Sequence, residues 1–403
     1  MRFASITDRL DPGAGPWHVH ELACRRQAKG DDVIVLSIGD PDFAPPPHVV
    51  AAVGRSIESG RTHYTASRGD GPLLEAIAAR ASFHAGRPIG ADHVAFFPGA
   101  QAALFAVCLC LLERGDEVIV PEPAYATYAG VMAATGAQMV HVPLRPERAF
   151  HLDLGDVADL ITPRTRVIVV NTPHNPTGAA LRPSDLDALV ALCAAHDLWL
   201  VSDEVYAELV FGREHASALA ASGAAERVAI VSSLSKSHAM TGFRHGWVVG
   251  PTELADRLEA LLDSMLFGSP PFVMDAGLAA LTGPQDQTAM MRNAYERRAR
   301  LVVEALERVP GLRARMPEGG MFVLLDVRGL GVPASAWAVD LLAHEGVALL
   351  PTDSFGASGA GHVRIGLAAS DDALREACTR IARFARRSRT ADGAASGHRT
   401  TSA

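Results

Sequence analysis

The chain has 403 residues but carries lysine at only two positions, Lys29 and Lys236, although lysine and arginine together total 37. The other 35, that total less the two lysines, are arginine. Arginine stays protonated and serves wherever a fixed cation is wanted. Lysine can lose its proton and attack a carbonyl to form a Schiff base. Lys29 lies in a polar turn beside Gly30, Asp31 and Asp32, where a solvated charge is the simple reading. Lys236 lies in Ser-Leu-Ser-Lys-Ser-His directly after an apolar run, which makes it the candidate amine nucleophile. An ordinary exposed lysine is the competing reading.

Other reactive residue types follow apolar runs in the same way. Residues 167–170 lead into Asn171-Thr172-Pro173-His174-Asn175-Pro176-Thr177-Gly178. Residues 198–201 lead into Ser202-Asp203-Glu204-Val205-Tyr206, and residues 228–231 into Ser232-Ser233-Leu234-Ser235-Lys236. In open α/β sheets ligands bind at the carboxyl ends of the strands. Three adjacent strand ends would therefore bring Asn175, Asp203, Tyr206 and Lys236 around one crevice. Each residue has a plainer reading beside this one: Asp203 as a helix N-cap, Asn175 as a turn former before proline, Tyr125 as a core aromatic, Arg364 as half of a surface salt bridge. Arg364 closes an apolar stretch, an odd place for an arginine unless it meets an anion.

The elements that must position these residues are legible between about residues 94 and 250. Residues 118–120, 167–170, 198–201, 228–231 and 247–249 are nearly all apolar, as strands buried on both faces are. Helical patterns fall between them, for example over 101–112 and 184–196. The alternation predicts an α/β domain with a mostly parallel sheet between helices. After about residue 285 the character changes. A long amphipathic helix is expected over 290–309, with strands over 321–326, 347–350 and 363–367, in a smaller α+β domain. The expected division is a large domain at 46–285, a small domain combining 1–45 with 286–387, and a disordered tail from 388 to 403.

Composition sets outer limits. The formal net charge is −8, which argues against nucleic acid or an anionic membrane surface as the main partner. The five cysteines are odd in number and irregularly spaced, so no disulfide framework is suggested. Cys108 and Cys110 would point to different helix faces, so no metal site is expected. No apolar leader follows Met1 and no run is long enough to span a bilayer, so a cytoplasmic protein is expected.

In chain order, Gly39-Asp40-Pro41, Tyr64, Gly99-Ala100-Gln101, Tyr125, His174-Asn175-Pro176-Thr177-Gly178, Asp203 with Tyr206, Ser233-Leu234-Ser235-Lys236 with Arg244, and Arg364 form a series. The series resembles the class I/II aminotransferases, the fold-type I pyridoxal-phosphate enzymes. The resemblance runs from Ser37 to Arg364 and so covers most of the chain.

It implies pyridoxal 5'-phosphate as cofactor, carried covalently by the Lys236 amine. Asp203 is implied to pair with the ring nitrogen, Asn175 and Tyr206 to donate to the ring's phenolic oxygen, and Tyr125 to stack on the ring. Ser233, Arg244 and the amides of Gly99, Ala100 and Gln101 are implied to hold the phosphate. Many family members have a hydroxyl residue where Ala100 stands, so here the backbone contacts remain and that side-chain contact is lost. Tyr64 is implied to reach the phosphate of the neighbouring subunit, which makes a homodimer with shared sites. Arg364, with Gly39 and Asn175, is implied to hold the substrate α-carboxylate.

The implied reaction is ping-pong transfer of an amino group from an amino acid to a 2-oxo acid. The stretches around residues 37–43, 62–64, 99–101, 233–242 and 265–270 look most like the arginine–pyruvate transaminases of bacterial arginine catabolism. That likeness implies arginine as donor and pyruvate as acceptor. An aromatic or aspartate-type aminotransferase, or a C–S lyase, shares the same cofactor residues. An amino-acid-sensing regulator on this fold would need an N-terminal DNA-binding domain, for which the early Gly39-Asp40-Pro41 leaves no room.

Overall fold

The computed structural model describes residues 17–396 continuously, together with Phe3, Ile6, Thr7, Leu10 and Gly15. Thirteen strands occur in it. They are β1 (Ile34–Val35), β2 (Val94–Phe97), β3 (Glu117–Glu122), β4 (Gln138–Pro143), β5 (Thr165–Asn171), β6 (Trp199–Asp203), β7 (Val228–Ser233) and β8 (Gly246–Val249). β9 (Arg313–Ala314), β10 (Phe322–Asp326), β11 (Val347–Ala348), β12 (Leu350–Pro351) and β13 (His362–Gly366) follow.

Seven strands form one sheet in the order β2-β8-β7-β6-β5-β3-β4. β8 runs antiparallel to both neighbours, and the other neighbouring pairs are parallel. The expected α/β architecture with a mostly parallel sheet is therefore present. Its apolar runs are buried on both faces because alternate side chains enter different cores. Ile119, Ile168, Val170, Leu200 and Ile230 pack on one side. Val118, Val120, Val167, Val169, Val201, Ala229 and Val231 pack on the other. Sequence periodicity did not single out β2, which is only four residues long, or β4, an edge strand whose exposed positions break the apolar run.

A third core gathers around the helices Asp286–Leu306, Ala334–Glu345 and Asp371–Ser396 and the antiparallel sheet β12-β13-β10-β9. Val19, Ala23, Val33 and Leu36 from the N-terminal segment belong to it, and β1 pairs in parallel with β11. The run expected as one strand over 347–350 is split at Leu349. Its halves, β11 and β12, serve different sheets. The last helix continues to Ser396, past residue 388 where the tail is expected to begin; its sequence holds no proline to stop it. Residues 397–403 of that expected tail lie outside the described residues.

Cys108 is buried in the helix Ala100–Leu111 and Cys110 is half-buried, and no metal-ligating cluster occurs among the described residues. No helix among the described residues is long and apolar enough to cross a membrane.

Candidate active site

β5, β6 and β7 end side by side. Asn171 is the register partner of Asp203, and Asp203 of Val231. The chain leaves each strand with its polar residues at that edge. They open onto a cavity of about 330 Å³ whose wall includes Asn175, Asp203, Tyr206, Ser233, Lys236, Arg244 and Arg364. Gly39, Ala100, Gln101 and Tyr125 line it as well.

Asp203 is the floor. Its carboxylate accepts from the Tyr128 hydroxyl at 2.6 Å and from the Val205 amide at 3.3 Å. Burial raises its pKa to about 6 against the opposing pull of the Tyr128 bond. The amide of Asn171 ties two strand ends together, since its Nδ2 donates to the Asp203 carbonyl at 3.0 Å. Its Oδ1 accepts from the Asn175 backbone at 2.8 Å, which fixes the turn that presents Asn175. Tyr206 is buried, and burial pushes its hydroxyl pKa well up, so it stands as a neutral donor.

Lys236 follows β7 by three residues. Its Nζ donates to the Gly39 carbonyl at 2.5 Å. Burial lowers its pKa to about 8, with Asp40 opposing and Arg364 and Arg244 adding to the fall. A lysine so poised gives up its proton readily near neutral pH, which a nucleophile or a proton carrier requires.

Arg364 lies on β13 and is 2% exposed. Its Nη1 donates to Asn175 Oδ1 at 2.9 Å and its Nη2 to the Ser37 carbonyl at 3.0 Å, while Nε has no partner. The guanidinium sits 3.9 Å from the ring centre of Phe322. Among the described residues no carboxylate pairs with it. Burial accordingly lowers its pKa to about 10. A buried cation held only by carbonyl oxygens and a ring is incomplete until an anion arrives.

The opposite end of the cavity is made where β8 meets the helix Ala100–Leu111. Gly99 caps that helix with φ 93°, and a Cβ there would strike the Arg244 guanidinium. A Cβ on Gly246 would stand 2.5 Å from the Gly99 carbonyl carbon. The two glycines thus allow the helix N-terminus and Arg244 to converge, a pairing of free amides and a guanidinium that suits phosphate. Arg244 itself has φ 53° and donates to the Thr241 carbonyl at 2.9 Å. Ser233 is buried beside them, and its Oγ accepts from the Ser235 amide at 3.3 Å.

Two residues expected at the site are not on this wall. Gly99 backs it without lining it. Tyr64 is 84% exposed and meets the Phe267 ring edge-on at 5.3 Å. Sequence reasoning gave no role to Tyr128, Asn171, Thr241, Trp17 or Phe322. Asn171 ends an apolar run and could have been found by that signal. The others reach the cavity only through tertiary packing.

The family model for aminotransferases of class I and II matches residues 31–381. The chain belongs to the class I and II aminotransferases. Among relatives, the arginine–pyruvate transaminase of Pseudomonas aeruginosa is 49% identical over 383 residues, which is 95% of this chain and 98% of that protein. The aspartate aminotransferase of Musicola paradisiaca is 34% identical, covering 89% of this chain and 90% of its own. Among solved structures, the aspartate aminotransferase of Thermus thermophilus superposes with a TM-score of 0.90 at 34% identity, over 95% of this chain and all of that one. The aspartate aminotransferase of Rhizobium meliloti gives 0.91 at 30% identity, over 96% and 99%.

As an aminotransferase the chain is an enzyme that moves amino groups between amino acids and 2-oxo acids. For such a reaction the cavity offers a deprotonatable amine, a buried carboxylate and an unpaired arginine within one enclosure.

Proposed function

We propose that this aminotransferase uses pyridoxal 5'-phosphate to transfer the amino group of arginine to pyruvate by a ping-pong mechanism. The observation that carries the cofactor reading is one cavity holding the Lys236 amine, the Asp203 carboxylate and the convergence of Arg244 with the Gly99-capped helix. These groups fit the cofactor's aldehyde, ring nitrogen and phosphate in turn, with Tyr206 and Asn175 placed for the phenolic oxygen and Tyr125 for the ring face. When bound, pyridoxal phosphate supplies an aldehyde for the amino group and a ring that takes up the electron pair freed at the substrate Cα.

The chain's own residues do the rest. Arg364 binds the donor's α-carboxylate, with Asn175 and the Ser37 carbonyl fixing the guanidinium's plane. Lys236 Nζ would carry the proton from the donor's Cα to the cofactor's aldehyde carbon, and in the second half of the cycle from that carbon to the acceptor's Cα. Asp203, kept dry and oriented by Tyr128, presents a negative charge toward the ring nitrogen. The choice of arginine and pyruvate rests on the relative from Pseudomonas aeruginosa.

We also infer a homodimer in which Tyr64 completes the partner's site, and a large domain at 46–285 beside a small one. The exposed side chains of Tyr64, Met265, Leu266 and Phe267 support the first as an apolar patch in want of cover. The separate cores described above support the second.

Borohydride treatment of the purified protein should fix the cofactor to the peptide containing Lys236; fixation at Lys29 overturns the assignment. A screen of arginine, lysine, aspartate, phenylalanine and methionine against pyruvate and 2-oxoglutarate should favour arginine with pyruvate. A strong preference for aspartate sinks the substrate reading. Ammonia and an oxo acid released with no acceptor mean a lyase. Mixing Tyr64→Phe and Lys236→Ala chains should leave one intact site per mixed dimer if Tyr64 acts across the interface, and none if it acts within its own chain.

A further inference from the structure

The cavity wall carries three cations, Lys236, Arg244 and Arg364, and two acids, Asp203 and Asp40. In the reading above each cation has work: the amine chemistry, the phosphate and the α-carboxylate. None is left on this wall, among the described residues, for a second carboxylate on the donor.

The acids divide differently. Asp203 is on the floor and bonded to Tyr128. Asp40 stands exposed at the rim, where its Oδ1 accepts from the Thr241 hydroxyl at 2.7 Å. Among the described residues no arginine or lysine forms an ion pair with it. Asp42, two residues on, is by contrast fully engaged by Arg298, with both oxygens accepting at 2.8 Å. The same wall includes Trp17, half-buried, and Ile38, 40% exposed. A carboxylate with no ion-pair partner, an indole and an aliphatic side chain suit a long stem ending in a delocalised cation. A guanidinium can donate two parallel hydrogen bonds to a carboxylate and stack on an indole face.

Spacing agrees. Arg364 is fixed to the carbonyl of Ser37, and Asp40 lies three residues further along. That stretch of chain spans at most about 10 Å. An extended arginine covers a distance of the same order from its α-carboxylate to its guanidinium.

We infer that Asp40 and Trp17 form the subsite for the donor's cationic side chain, Asp40 pairing with the guanidinium and Trp17 stacking on it. The inference rests on the reading of the cavity as the site of an arginine-consuming aminotransferase, and its test separates the two. The probes are 5-guanidinopentanoate, which is arginine without its amino group, and its neutral urea isostere 5-ureidopentanoate. Neither can be transaminated, so calorimetry on the cofactor-loaded protein reads binding alone. Arginine and citrulline provide the same pair for turnover with pyruvate.

The wild type should favour the guanidinium in both pairs. Asp40→Asn and Asp40→Ala should each cut that preference about 10–100-fold, the range of a hydrogen bond to a charged group. Trp17→Ala should cut it about 3–10-fold and Trp17→Phe less, as loss of a cation–ring contact would. Because each result is a ratio on one protein sample, partial loss of folded enzyme cancels. If the wild type favours the guanidinium and every variant keeps the full preference, the subsite is wrong and the arginine reading stands. If the wild type shows no preference, both fall.

Discussion

Two arginines, both almost wholly buried, stand at the two kinds of ionic site in this molecule. Arg298, on the helix Asp286–Leu306, is 6% exposed and has every need met. It grips Asp42 with two bonds of 2.8 Å, reaches Asp371 at 3.2 Å and donates to the Leu367 carbonyl at 3.0 Å. Burial pulls its pKa down, but the bonds from Asp42 and Asp371 outweigh that and raise it. Arg364 is as deeply buried yet has no carboxylate, and its pKa falls. Its neighbours follow the same rule: Asp203 is pushed up and Lys236 down, each toward neutrality. Structural charges here are paired on folding, and site charges are left wanting. The second condition costs stability and is what makes a ligand bind.

The largest expected effect is at the site's centre. Lys236→Arg keeps a cation but removes the amine that can lose a proton, so kcat should fall by about 10⁴-fold or more. Residual turnover close to wild type, measured with saturating cofactor, would remove lysine from the reaction.

The arginine comparison can be broken directly. Arg298→Met strands Asp42, leaves Asp371 to Arg297 alone, and should cost about 3–5 kcal/mol of unfolding free energy. Arg364→Met relieves an uncompensated buried charge, so the ligand-free protein should be as stable as wild type or more so, while KM for the donor rises at least about 10-fold. Denaturant unfolding and steady-state kinetics on both variants decide it. Equal destabilisation would mean that Arg364 is structural.

Asp203→Asn sharpens the same contrast within the site. In the role proposed for Asp203, losing its charge should lower kcat by about 10²–10³-fold, as removal of one preorganised electrostatic group does. Cofactor affinity should change less, because Arg244, Ser233 and the helix amides remain. Parallel loss of both in titrated, saturated enzyme would argue that Asp203 is only a ligand.

The smallest effect is a pH dependence. Lys236 has a pKa of about 8 in the folded cofactor-free chain, below its ordinary value of 10.5. The unfolded chain therefore holds the extra proton between these pH values. The buried charge costs stability in full below pH 8, and the cost disappears as pH rises to 10.5. Lys236→Met should thus stabilise the cofactor-free protein by about 3 kcal/mol at pH 7, and the gain should fade toward pH 10.5. A gain independent of pH would point to packing instead.

Most of the site was readable where one residue ends a buried apolar run. Asp203, Ser233 and Lys236 follow runs whose two-sided burial the composition reveals, and Arg364 stands out as a cation closing an apolar stretch. Tyr128 was not readable. It faces Asp203 only because the helix Thr127–Thr135 lies against the strand ends, 75 residues away in sequence. Nor did the sequence reveal that β8 runs opposite to its neighbours, since an apolar run carries no direction. Trp17 and Asp40 escaped for the same tertiary reason. Asp40 was noticed as part of a motif, but nothing local says whether an arginine has claimed it.

The antiparallel return of β8 has a further consequence for the order in which the site can be assembled. Ser233 and Gly246 face each other in register, so one short excursion between them delivers both Lys236 and Arg244. The bond from Arg364 to Ser37 closes a loop of 327 residues. Closure entropy rises with loop length, by about 0.6 kcal/mol for each doubling. A partly unfolded or newly made chain can therefore hold Lys236 and Arg244 in place before Arg364 is brought to the cavity. In hydrogen exchange, the amides of residues 228–249 should stay protected under mild denaturation that already frees those of β1 and β13.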